Sequence, residues 1–217
     1  MIGIIIGDLM ASNDGQLNEN STFTNVTTNA TAVMEWLTKE DLELKDVIRK
    51  WNKKYKKSGT FSIAGLFPIV LYSHGFSEAT EIYLGEAVKQ GLDEPTSVAL
   101  IDLIEQVKLK KNKEKLPQEF KKAYGVNEIT KVLKEFAESK GFWEAVTKAL
   151  KLEGAEATNA SLAGGLAGIY YGLSKSIRDK ALSLLPKEMR AVILEFEKQS
   201  AKRNTDEAIA QLRFIQM

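Results

Sequence analysis

The chain contains no cysteine, a single histidine, His74, and only four prolines among its 217 residues. Without cysteine there is no disulfide framework, no thiolate metal site and no cysteine nucleophile, and a reducing compartment is the matching environment. One histidine cannot build a zinc centre, which takes several nitrogen or sulfur ligands. No nucleophile-turn sequence accompanies it for a Ser-His-Asp arrangement, so His74, in YSHGF, reads as a turn or capping residue. Net charge is equally scarce. Thirty Lys and Arg against 29 Asp and Glu leave +1, so no overall field draws the protein onto nucleic acid or an anionic membrane. The opening MIGIIIGDLM has a short apolar run, no basic residue ahead of it and an Asp at position 8. It matches neither a signal peptide nor a membrane span, and a cytoplasmic protein is expected. The N-x-S/T sequons at Asn20, Asn25, Asn29 and Asn159 then lack the secretory route that would make them acceptor sites.

What is present is an ordinary globular composition, 44% apolar and 27% charged, sufficient for one core and one domain over residues 1–217. Apolar residues recur at three and four spacing through residues 31–39, 41–57, 77–91, 94–111, 127–140, 142–152, 159–173 and 186–202, and nothing alternates as a strand would. Breaks fall at Ser58-Gly59, His74-Gly75, Gly91 to Pro95, Pro117, Gly141, Gly154 and Pro186. An all-α bundle with short connections follows. Residues 108–127, KLKKNKEKLPQEFKKAYGVN, read as a solvated surface crossing.

Three polar segments stand out. FTNVTTNAT, residues 23–31, gathers Thr and Asn just before the apolar AVMEWL, where such side chains cap helices. SGTFSIAGLFP, residues 58–68, places Gly59, Thr60 and Ser62 before an apolar helix, an arrangement able to cradle phosphate or ribose oxygens. EGAEATNASLAGGLAGIYYG, residues 153–172, sets a polar loop ahead of Ala160, Ala163, Gly164, Ala167 and Gly168, a spacing that allows close helix approach. The basic cluster WNKKYKK, Trp51 to Lys57, suits either a phosphate or the negative end of a helix dipole.

Taken in order, these segments resemble the ADP-ribosylglycohydrolase family. MIGIIIGDLM resembles its GxxxGDxxG opening, and FTNVTTNATAVMEWL its F-T-D-D-T segment with the following helix. SGTFSIAGLFPIVLY resembles its G-N-G-S-A-M-R-x-x-P stretch, with Gly59, Ser62 and Pro68 in matching places. WEAVTKALKLEGAEATNASLAGGLAGIYYG is similar to its A-V-N-L-G-G-D-T-D-T segment and the Ala/Gly-rich helix after it, and LLPKEMRAVI to the I-P tail. The resemblance implies a compact, orthogonal all-α bundle holding two magnesium ions between helices. It also implies hydrolysis of the glycosidic bond of ADP-ribose attached to protein side chains or related molecules.

Residue by residue, the family's T-D-D-T falls on Thr24, Asn25, Val26 and Thr27. Its G-G-D-T-D-T falls on Glu153, Gly154, Ala155, Glu156, Ala157 and Thr158. All four principal aspartates are replaced by Asn, Val, Ala and Ala. Two divalent ions a few ångströms apart need anionic ligands to offset their repulsion. The expectation is therefore no catalytic residue, no metal and no cofactor, with a small nucleotide, an ADP-ribose derivative or a cyclic nucleotide, sequestered or sensed in the former cleft. The expected ligand-binding residues are Asp8, Thr24, Asn25, Thr27, Gly59, Thr60, Phe61, Ser62, Glu156, Thr158 and Asn159, with Phe61 either stacking on a base or filling vacated volume. One alternative is a divergent hydrolase using Glu156, Asn25 and Thr158 with one Mg²⁺, and another is a non-enzymatic structural or partner-binding protein. The chain is short for this family, and apolar faces left by trimmed insertions would suit a homo-oligomer.

Overall fold

Helices form along almost the whole chain, beginning with the segment whose sequence pattern signalled them least. The structure, a computed structural model, describes residues 1–39, 41–73, 78–125 and 127–215, and for residues 204 and 206–215 the backbone only; His74 lies outside the described residues. Among the described residues there are twelve α-helices and no strand. In chain order they are α1 (Ile2–Ala11), α2 (Asn25–Thr38), α3 (Leu44–Tyr55), α4 (Leu66–Ser73), α5 (Glu78–Val88) and α6 (Glu94–Lys108), then α7 (Leu116–Tyr124), α8 (Glu128–Ala137), α9 (Phe142–Ala149), α10 (Glu156–Tyr171), α11 (Lys175–Ser183) and α12 (Lys187–Ile215). A 3-10 turn, Ile63–Gly65, leads into α4. No helix among the described residues is long and apolar enough to cross a membrane.

Two helices form the axis of the bundle. α1 is buried from Ile2 to Met10 and α10 from Asn159 to Ala167, as helices apolar on every side must be. They touch backbone to backbone: a Cβ added at Gly3 would lie 2.1 Å from the Gly164 carbonyl oxygen, and one at Gly7 would lie 2.1 Å from that of Ala160. Gly3 meets Gly164 and Gly7 meets Ala160, so the two helices run antiparallel, and the end of α1 that carries Asp8 lies beside the first turns of α10. The small-residue spacing within residues 160–168 thus serves the close approach it suggested, with Gly3 and Gly7 as its complement.

Around this axis α8 and α9 pack on α10, α11 packs on α1, and α2 contacts α1, α3, α4 and α12. Amphipathic helices present one stripe inward, as with Leu44, Val47 and Trp51 on α3 and Ile129, Val132, Leu133 and Phe136 on α8. The region read as a surface crossing is corrected in part. Leu116 and Phe120 are buried on α7, and Pro117 stands in its first turn rather than ending a helix. The preceding lysines do reach the surface, yet they close helix ends. Lys110 donates to the Ile169 carbonyl at 3.0 Å and to that of Tyr170, and Lys113 to the carbonyls of Ala137 and Ser139, the last at 2.7 Å.

Candidate ligand cleft at the helix N-termini

Four chain segments converge beside the helical axis: the C-terminal half of α1, the N-terminus of α2, the loop 57–62 with its 3-10 turn, and the N-terminus of α10. Asp8 links the first two. Its carboxylate is fully buried, accepting the Thr24 backbone N–H at 2.9 Å, the Thr24 hydroxyl at 2.6 Å and the Thr27 N–H at 3.1 Å. Thr24 is the N-cap of α2 and accepts the Val26 N–H at 3.1 Å. α2 has no acidic residue of its own in its first turn, and Asp8 supplies that charge from α1 at the positive end of the α2 dipole. Burial pushes the Asp8 carboxyl above its ordinary range, with the hydrogen bonds from Thr24 and Thr27 opposing the shift.

Asn25 and Asn29 hold the loop. Both side-chain amides donate to the Thr60 carbonyl oxygen, at 3.1 and 3.4 Å. Gly59, at φ +135°, lies so close that a Cβ would stand 2.8 Å from Asn25 Nδ2. Ser62 accepts the Ala64 N–H at 3.3 Å and caps the 3-10 turn. Phe61 is 8% exposed, and its ring covers Gly65, where a Cβ would come within 2.7 Å of it. A base stacking on Phe61 would have to displace that packing.

On the other side, the N-cap of α10 is Ala155, which makes no side-chain cap hydrogen bond. Thr158 and Asn159 line a cleft of about 740 Å³ together with Ile63, Thr96, Asn127, Glu128, Ile129, Lys131, Glu153, Gly154, Ala155 and Leu162, a volume within the range of small-molecule sites. Asn159 is 4% exposed, yet its Nδ2 has no hydrogen-bond partner. Asn29 Oδ1 and Ser161 Oγ are buried and unpartnered in the same way, so the fold leaves polar capacity unsatisfied on both α2 and α10. Glu156 is exposed in the first turn of α10 and does not line the cleft.

The candidate residues thus fall into two groups. Asp8, Thr24 and Thr27 form one hydrogen-bonded unit with the first turn of α2, while Asn25 ties that turn to Gly59 and Thr60. Thr158 and Asn159 belong to the cleft, with Ile63 of the 3-10 turn joining the two sides. The contributions of Thr96, Asn127, Ile129 and Lys131 were not legible. Asn127 and Thr130 form a capping box at the start of α8, and a cap sequence carries no sign that it also borders a cleft.

The donor set does not fit a pair of magnesium ions. Asp8 is the carboxylate at this end of α1, and both its oxygens already accept hydrogen bonds from Thr24 or Thr27. Asn25 turns its amide NH₂ toward Thr60. Val26 and Ala157 offer no oxygen from their side chains, and Ala155 offers none either. Among the described residues no three His, Cys, Asp or Glu side chains are grouped to hold a metal ion.

Two other charged features resolve away from the cleft. Lys54 pairs with Glu188 of α12 at 3.1 Å, and Lys57 sits over the Phe23 ring at 4.9 Å, so these two lysines of the Trp51–Lys57 cluster are engaged within the chain. Glu35, inside α2 and 2% exposed, accepts from Lys39 at 2.5 Å, from Lys50 at 2.8 Å and from Trp51 Nε1 at 2.6 Å. Burial raises the Glu35 carboxyl, but these three donors and the Lys50 charge bring it below its usual value.

Comparison with known proteins follows the same geometry. The family model described as ADP-ribosylglycohydrolase matches residues 28–210. A solved structure named "ADP-ribosylglycohydrolase-related protein complex" superposes with a TM-score of 0.69 at 18% identity, covering 92% of this chain and 95% of that one. At that identity it bears on the fold alone. No curated protein matches.

Proposed function

Since the chain belongs to the ADP-ribosylglycohydrolase family, we propose that it is a catalytically degenerate member that binds an ADP-ribose-like or cyclic nucleotide without hydrolysing it. The observation that carries this reading is the fate of the acidic positions. Asn25, Val26, Ala155 and Ala157 stand where the family resemblance places aspartates, and Asp8 is engaged with α2. Hydrolysis routed through metal-bound water needs the missing anions. Binding needs only donors and a wall, and the cleft beside Thr158 and Asn159 has both. Removing carboxylates also removes repulsion toward a phosphate in a partly dry site.

On this reading the protein acts in the cytoplasm, with a nucleotide as its partner and without nucleic acid or membrane. Ile82, Leu109 and Leu194 are exposed apolar groups that a homo-oligomer would cover. The test is to incubate the protein with ADP-ribose derivatives and ADP-ribosylated peptides, with and without Mg²⁺, and resolve the products by chromatography. Intact substrate under both conditions supports the reading. Magnesium-dependent release of ADP-ribose would replace it with the divergent hydrolase.

A further inference from the structure

We propose that the N-terminus of α10 is an anion subsite for a phosphodiester, one negative charge per phosphorus, within the cleft; the assignment rests on the nucleotide-binding reading above. α10 is a 16-residue helix whose N-cap, Ala155, brings no side-chain acceptor. Asn159 N–H bonds the Ala155 carbonyl at 2.9 Å, while the N–H groups of Ala157 and Thr158 meet no acceptor among the described residues. These are the orphan donors and the positive dipole end that make a helix start receptive to an anion.

The independent pointer is Asn159. Its side chain lines the cleft and is 4% exposed, and Nδ2 is a buried donor with nothing to donate to. Native folds rarely leave such a group unmet, and where they do an unseen partner is the first explanation. Asn159 follows Thr158, whose N–H and hydroxyl supply two further donors, and Thr96 adds a hydroxyl to the same lining. Ile63, Ile129 and Leu162 also line the cleft, Leu162 one turn beyond Thr158 on α10, and give it apolar surface for the face of a base.

The charge around the cleft selects the class of anion. Glu128 and Lys131 pair at 3.0 Å and cancel. Glu153 lines the cleft and Glu156 occupies the first turn of α10, both exposed. Against Glu153 on the lining, Glu156 on the exposed helix turn beside it, and neutral donors, a dianionic phosphomonoester is repelled more than a monoanionic diester. The donors are also amide and hydroxyl groups, not the guanidinium forks that recognise terminal phosphates.

The experiment is calorimetric titration in EDTA with 3′,5′-cyclic AMP, 3′,5′-cyclic GMP, ADP-ribose, adenosine 5′-monophosphate and inorganic phosphate. Wild-type protein is compared with Asn159→Leu and Thr158→Val. A cyclic nucleotide binds more tightly than the monoester or free phosphate, and each substitution weakens it about 10-fold or more, the loss of one hydrogen bond to a charged group. Asn159→Leu also melts no lower than wild type, because it removes an unsatisfied donor. If nucleotides bind and both variants bind them equally well, the subsite is wrong and the nucleotide reading stands. If no nucleotide binds the wild type, both fall. Tighter binding of the monoester or of free phosphate overturns the choice of a diester, and a lower melting temperature for Asn159→Leu shows that its amide was already satisfied.

Discussion

The Thr27 N–H of α2 donates to the Asp8 carboxylate of α1 at 3.1 Å, so one helix completes the first turn of another. The same carboxylate holds the Thr24 N–H and hydroxyl, which fixes where α2 begins relative to α1. Since Gly7, one residue earlier, touches Ala160 of α10, this short piece of α1 sets the position of the α2 N-terminus relative to that of α10, which borders the cleft.

Replacing Asp8 with Ala leaves the half-buried N–H of Thr24 and the buried N–H of Thr27 without their acceptor. A loss of about 2–4 kcal/mol is expected, read as a lower denaturation midpoint at unchanged slope. Asp8→Asn keeps one acceptor and loses less. An equal and negligible effect of both changes would mean that α2 does not depend on this cap.

Two carboxylates give opposite pH responses. Asp8 holds its proton above the ordinary value of 3.8, so the folded state binds more protons there, and its contribution to stability falls as pH rises from that value through the folded pKa. Glu35 titrates below its ordinary 4.5. Its contribution is complete above that value and is lost as pH falls through the lower folded pKa. Denaturation midpoints measured across the acid range should lose the first trend in Asp8→Asn and the second in Glu35→Gln.

A methyl group at Gly7 has nowhere to go, because the atom it meets is backbone, the Ala160 carbonyl oxygen. Gly7→Ala is expected to cost about 3 kcal/mol or more. Gly85 of α5 is the control, with nothing within 4 Å of an added Cβ. Gly85→Ala should instead gain about 0.4–1 kcal/mol. Thermal melts of the two variants separate close packing from a general response to alanine.

Much of this was legible in the sequence, for physical reasons that differ by element. Amphipathic helices such as α3 and α8 announce themselves because one stripe must be apolar. α1 does not, since Ile2 to Met10 are buried on all sides and no period survives. α7 was hidden by Pro117 and the lysines, which read as a break although Pro suits a first turn. Thr24 was legible as a cap, but its partner Asp8 lies 16 residues away, and no local rule pairs them. Asn159 was a ligand-binding candidate through the family resemblance, but its unpartnered amide exists only in three dimensions. Glu35 had no signal, because Lys50 and Trp51 reach it from α3.

Returning the acidic groups should return the metal. Asn25→Asp, Val26→Asp, Ala155→Asp and Ala157→Asp together are expected to create a Mg²⁺-dependent rise in melting temperature. The wild type should melt identically in Mg²⁺ and in EDTA. A wild-type melting point raised by Mg²⁺ would show that the present donors suffice.

The most direct measurement is calorimetric titration of ADP-ribose and of a 3′,5′-cyclic nucleotide into the wild-type protein, once in EDTA and once in Mg²⁺, with the ligand recovered afterwards. The account predicts saturable binding of at least one of them, the same in both buffers, and a ligand recovered intact. Binding that appears only with Mg²⁺, a cleaved ligand, or no binding of either compound would contradict it.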